Sequence, residues 1–337
     1  MGLDKKRIKD VFLLVLMIAA VFCYVSCGSS SDDDDDDDDD DAKTALTVSG
    51  VAAKGLVNGG VVNIHPIING VLSTSPTQSG QTDENGAYSI TINDYDGNPF
   101  VVRITTTAET TMRCDLAGGC GDGVDFGADI SLDDTDFSLD AVVPTITDPT
   151  TNVNLTTLTN VAAGVALSAL DSGTATDITQ AINNANTAVA NRFGLTGNVT
   201  NLPVVDITNP ASLATADQSA IQYNLYNASL VESIMSENNL SSIGTAVNEF
   251  TQQWLSQGGI ADTAAPGSIG VTLADVLSSA NQVISEIENR DTGNTLNLDQ
   301  LQNTINQNQQ QAQNGSTTPT GGTPQVPTGS SGGTIDG

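Results

Sequence analysis

The stretch AYSITI, Ala87–Ile92, alternates apolar and polar residues and puts Tyr88, Ile90 and Ile92 on one face of an extended strand. FVVRI, Phe100–Ile104, repeats the pattern with Phe100, Val102 and Ile104, and DFGADISL, Asp125–Leu132, does so with Phe126, Ala128, Ile130 and Leu132. Turn formers fall between such runs, at VNGG (Val57–Gly60), DENG (Asp83–Gly86) and DYDGNP (Asp94–Pro99). Strands with one dry and one wet face predict an antiparallel β-sandwich of about seven strands. Residues 44–148 are its expected extent.

The order VSGVAAKGLVNGGVVNI followed by GQTDENGAYSITI resembles the carboxypeptidase-regulatory-like domain, a transthyretin-like β-sandwich. Gly50 and Val51, Gly60 to Val62, and Thr82, Asp83, Gly86 and Tyr88 match its Gly-x-Val, Gly-x-x-Val and Thr-Asp-x-x-Gly-x-Tyr landmarks. The resemblance covers about the first 60 residues of that fold. It implies a stalk, spacer or binding module and brings no catalytic residue.

Beyond Pro144 and Pro149 the period changes. Leu155, Leu158, Ala162 and Val165 open one helix, and Ile178, Ile182, Ala185 and Val189 make a second that stops at Gly194. Further helices are expected over Ser212–Glu237, Ser242–Gln257 and Thr272–Arg290, the last with Thr272 and Asp275 as a capping box. Leu298, Leu301 and Ile305 mark a short terminal one. The fold class is therefore α+β multidomain: a β-sandwich, then an all-α helical bundle over 149–312 with Trp254 and Phe250 at its centre. From residue 313 to 337 turn formers replace core residues, which predicts a disordered tail.

The N-terminus carries Lys5, Lys6, Arg7 and Lys9 ahead of an uncharged apolar run, Val11–Val25, the pattern of a secretory signal. That run is too short to cross a hydrocarbon core of roughly 30 Å, which takes about 20 apolar residues. Its end, YVSC (Tyr24–Cys27), resembles the lipobox of bacterial lipoproteins, with Tyr24 standing where the family usually has leucine. The resemblance makes residues 1–27 a signal peptide and Cys27 the acylated first residue of the mature chain. Two or more acyl chains hold a soluble body on a membrane stably. Gly28, where aspartate tends to mark inner-membrane retention, implies the outer membrane.

Directly behind the cysteine lie ten aspartates, Asp32–Asp41. They repel one another and have nothing to bury, so residues 28–43 are expected to be a disordered, extended tether of roughly 50 Å at full stretch. A plain solvated spacer is the alternative.

The formal net charge of −30 argues against nucleic acid, whose binding depends on neutralising phosphates. Two cysteines remain after processing, Cys114 and Cys120 in RCDLAGGCGDG, and in an oxidising compartment they are expected to form a disulfide. Nearby, Asp122, Asp125, Asp129, Asp133, Asp134, Asp136 and Asp140 crowd together in sequence. If DDTD (Asp133–Asp136) is a hairpin loop, Asp129 faces Asp140, and Asp129, Asp133, Asp134, Asp136 and Asp140 form a candidate Ca²⁺ site. Asp94, Asp96 and Asn98 are a second oxygen cluster. Solvated acidic edges that discourage strand aggregation are the other reading of both.

Reaction signatures do not survive inspection. DSG at Asp171 and DTG at Asp291 match aspartic-protease tripeptides, yet each follows a helix end. Gly329, Ser331 and Gly333 satisfy a hydrolase elbow inside the expected disordered tail, with no strand pattern before it, and His65 is the only histidine. A carboxylate-based glycosidase needs only two acids at the right separation. The expectation is a non-catalytic, outer-membrane-anchored lipoprotein for adhesion or assembly with an envelope protein or glycan. A glycan-binding or glycan-hydrolysing protein and a Ca²⁺-dependent binding module are the alternatives.

Overall fold

A computed structural model describes residues 44–121, 123–175, 177–264, 270–293 and 296–314. The signal peptide, Cys27, the aspartate tether, the expected tail from residue 315 on and Asp122 lie outside the described residues.

The first long strand, β1 (Thr44–Ala53), pairs antiparallel with β6 (Ala87–Tyr95) in the register Val48↔Ile90. Its other edge takes two short parallel partners, β11 (Thr150–Asn152) and β12 (Leu155–Thr156). These partners lie beyond residue 148, so the chain returns to the sheet before it turns helical. At the return Val153 O accepts from the Tyr88 hydroxyl, and a Cβ on Gly50 would lie 1.8 Å from that same oxygen. The first landmark glycine is thus the place where two backbones meet without a side chain between them.

A second sheet runs in the order β10 (Ser138–Val143), β7 (Phe100–Thr105), β3 (Val61–Ile68) and β4 (Val71–Leu72), with β5 (Gln78–Gln81) also on β3. A third joins β2 (Val57–Asn58), β8 (Thr111–Arg113) and β9 (Asp129–Ser131). The antiparallel sheets together form a curled half-barrel. Phe126 and Ala128, read above as part of the last strand, precede β9 in turns.

Strands β7 and β10 have no wet face over most of their length. Val102, Ile104, Leu139 and Ala141 enter the main core, while Val101 and Val142 point the other way. That second face packs on Ala163 and Ala166 of α1 (Thr157–Asp171) and on Ile182 and Ala185 of α2 (Ile178–Arg192). Small alanines let the helices lie close to the sheet. The expected wet face is covered because FVV and AVV are apolar on both phases.

Seven helices stand among the described residues. After α1 and α2 come α3 (Pro210–Leu213), α4 (Gln218–Asn238), α5 (Ile243–Gln257), α6 (Leu273–Arg290) and α7 (Asp299–Gln313). Thr156 ends β12 and caps α1 in a capping box with Thr159, and Thr272 and Asp275 form the box that opens α6. Phe250 and Trp254 of α5 are buried with Phe193 and Tyr226, the Phe193 and Trp254 rings stacking 6.0 Å apart. One apolar core runs from Val48 and Ile64 in the sheets to Leu230 and Ile284 in the helices. No described helix is long and apolar enough to cross a membrane.

Candidate functional site

The acidic residues singled out in the sequence are distributed, not gathered. β9 pairs with β8 and β10 with β7, so DDTD does not close a hairpin and Asp129 does not face Asp140. Each of those acids instead lies opposite an arginine. Arg113 Nε donates to Asp129 Oδ1 at 2.6 Å, and Arg103 grips Asp140 through Nε and Nη2 at 2.7 and 2.6 Å. The register places opposite charges across the ladder, which replaces the expected repulsion by attraction. The Asp140 contact pushes the Arg103 pKa up from its ordinary value.

Asp134 has a third task. Its Oδ2 accepts from the Ser242 hydroxyl at 2.8 Å and from Gly244 N–H at 2.9 Å, at the start of α5. A carboxylate there satisfies helix N–H groups that have no intrahelical partner. Asp133 and Asp136 are exposed. Among the described residues no three His, Cys, Asp or Glu side chains come together as a metal site. In the second cluster Asp96 accepts from the backbone and side-chain amides of Asn98, at 3.1 and 2.7 Å.

Cys114 and Cys120 are bonded as a disulfide, with Cα atoms 5.8 Å apart. The small loop it closes carries Asp115, Ala117 and Gly118, which meet Lys54 from the sheet side and Glu232 from the helical side. Lys54, at the turn after β1, is wholly buried, and its Nζ donates to Asp115 Oδ1. Asp115, 4% exposed, also accepts from Gly55 N–H through Oδ2 at 2.7 Å. Glu232 of α4 reaches the same loop from the helical side and accepts from Ala117 N–H at 3.1 Å and Gly118 N–H at 3.0 Å. Burial pushes the Glu232 carboxyl above its usual range, while these two N–H donors and the Lys54 charge pull it back.

Sequence reasoning passed over Lys54, Asp115 and Glu232. The available signal was the scarcity of cations: a lone lysine in an apolar VAAKGLV run is costly unless it has a buried partner. The same economy holds throughout. Arg192 donates to Ile260 O and Asp262, and Arg290 lies over the Phe126 ring at 5.5 Å. All five lysines and arginines of the described residues, Lys54, Arg103, Arg113, Arg192 and Arg290, make an intramolecular ion pair or ring contact, Arg290 from an exposed position.

The reaction signatures stay apart from any such junction. Asp171 closes α1 and Asp291 follows the last turn of α6, where its carboxylate accepts from Leu296 N–H at 2.7 Å. His65 sits in β3, its Nδ1 3.1 Å from Ser73 O. An open groove of about 480 Å³ lies along α4 and α5, lined by Asn238, Asn248, Glu249, Gln252, Gln253 and Gln257 among others. Trp254, on the same helix, is turned into the core.

Compared with protein-family models, curated proteins and solved structures, the chain matches none.

Proposed function

We infer that the chain is a non-catalytic cell-envelope lipoprotein, fixed in the outer membrane through acylated Cys27 and displaying its folded part for adhesion or assembly. In this reading the strands are a sandwich-like base, and the helices that follow form the bundle that meets the partner. The run Asp32–Asp41 keeps that body clear of anionic head groups. The observation that carries the reading is where the cations go: each of the five among the described residues pairs within the fold, Arg290 from an exposed position, so carboxylates and amides outnumber free cations on the outward surface. Such a surface suits neutral or cation-bridged partners and repels nucleic acid.

A second reading, binding of a hydroxyl-rich glycan, is favoured by the amide-lined groove on α4 and α5. Fractionation of cells tests the anchor and the exposure together. Wild-type chain is expected in the membrane pellet, released by detergent, and cut by protease added to intact cells. Cys27→Ala is expected in the soluble fraction. A wild-type chain that leaves the pellet without detergent overturns the proposal, and binding of an envelope glycan lost in Gln252→Ala would decide for the second reading.

A further inference from the structure

We propose that Lys54 and Asp115 become joined by an isopeptide bond, made by the chain itself when the turn after β1 closes on the disulfide loop. The burial argument comes first. Lys54 is 0% exposed, and Asp115 is the one acceptor that the described residues offer its Nζ. An ammonium carries three donors and a full charge, and among the described residues one carboxylate oxygen receives it in a place closed to bulk water. An amide nitrogen at the same place carries no charge and a single proton. The covalent form therefore suits this interior better than the ion pair does.

The reacting groups are already in contact, and the fold holds them there from three sides. The lysine is fixed by the strand end, the aspartate by the Cys114–Cys120 bond, and the loop by Glu232, which acts as a positioning residue through Ala117 and Gly118. Holding two groups in one geometry replaces a bimolecular encounter by a local step. Gly55 N–H, 2.7 Å from Asp115 Oδ2, polarises the carboxyl and would steady the negative oxygen of a tetrahedral intermediate. Only glycine permits that approach: its φ is +62°, and a Cβ there would lie 1.7 Å from Arg113 O.

The step balances without a co-reactant. Proton transfer within the contact gives an amine and a carboxylic acid. Nζ then bonds to the Asp115 side-chain carbonyl carbon, and the bond from that carbon to Oδ1 breaks. Of the three ammonium protons, one stays on the amide nitrogen and two leave with Oδ1 as water. Oδ2 remains as the amide oxygen on Gly55 N–H. A cavity of about 20 Å³, lined by Asp115 and Gly55, adjoins the carboxyl and has room for one water.

The bond stands independently of the anchor at Cys27, and mass spectrometry of the purified wild-type chain tests it. After denaturation, reduction and alkylation, trypsin is expected not to cut after Lys54, because an acylated lysine is no longer a substrate. A second protease should then yield a branched peptide holding both residues, lighter than its two arms by one water. Lys54→Arg, which lacks a nucleophilic amine, should release the arms separately, and because the digest is made on denatured chain it reads out whether or not that variant folds. Cleavage after Lys54 in the wild-type chain, with Asp115 recovered in an unbranched peptide of full mass, overturns the proposal.

Discussion

Asp134 and Gly244, 110 residues apart, are joined by a hydrogen bond of 2.9 Å from the Gly244 N–H to the carboxylate. The loop ahead of β10 thereby supplies the first turn of α5 with its anion. A Cβ on Gly244 would lie 2.4 Å from Phe137 N, so the loop and the helix are also in direct backbone contact. The acid that the sequence offered as a candidate Ca²⁺ ligand is a clamp between the loop and the helix.

Replacing Asp134 by alanine is therefore expected to cost about 1–2 kcal/mol, the range for losing a helix N-terminal acceptor with its partners left in place. Urea unfolding of the wild-type and variant chains measures it. Asp133→Ala, at an exposed neighbour, should change the midpoint little, and equal losses at the two positions would contradict the assignment.

At Gly50 the expected effect is larger. Gly50→Val drives a branched side chain into Val153 O, which a Cβ would already approach to 1.8 Å, and breaks the parallel pairing of β1 with β11 and β12. The cost is expected to be about 3 kcal/mol or more. Circular dichroism at rising temperature should show a markedly lower transition or no cooperative transition.

Glu232 gives a pH signature whose sign is fixed by burial. Its folded carboxyl binds a proton more tightly than an unfolded glutamate does, so its contribution to stability is full below the unfolded pKa. It is lost as pH rises through the higher folded value. The difference in unfolding free energy between wild type and Glu232→Gln should thus be most favourable to wild type in acid and shrink toward neutral pH. A difference that grows with pH over that window would show a carboxyl held below its ordinary range instead.

The disulfide closes a loop with a sequence separation of 6, and Cys114→Ser combined with Cys120→Ser should cost about 2 kcal/mol by the chain-entropy relation. Loosening the loop also frees Ala117 and Gly118 from Glu232. The pH signature of Glu232 should weaken in the same variant, which a repeat of the acid titration checks.

Much of the architecture was legible because local patterns agree with the fold. The period-two runs around Ile90 and Val102 are strands, and the capping box at Thr272 opens the helix where its spacing places it. Two things were hidden for physical reasons. Pairing across strands is set by long-range register, so nothing near Asp129 announces that its partner is Arg113 and not Asp140. The partner of a buried polar side chain is likewise a tertiary property: the apolar VAAKGLV run hints that Lys54 is buried, but Asp115 is brought to it only when the disulfide loop and α4 close over that turn. The covered second face of β7 was written in Val101, an apolar residue out of phase with the dry face.

The central claim, that this body is held on a membrane by fatty acids, is tested most directly at the mature N-terminus. Mass spectrometry of the first peptide of membrane-extracted chain should find it beginning at Cys27, with the added mass of acyl chains on that residue. A peptide that begins elsewhere, or a Cys27 carrying a free thiol and no lipid, would contradict the account.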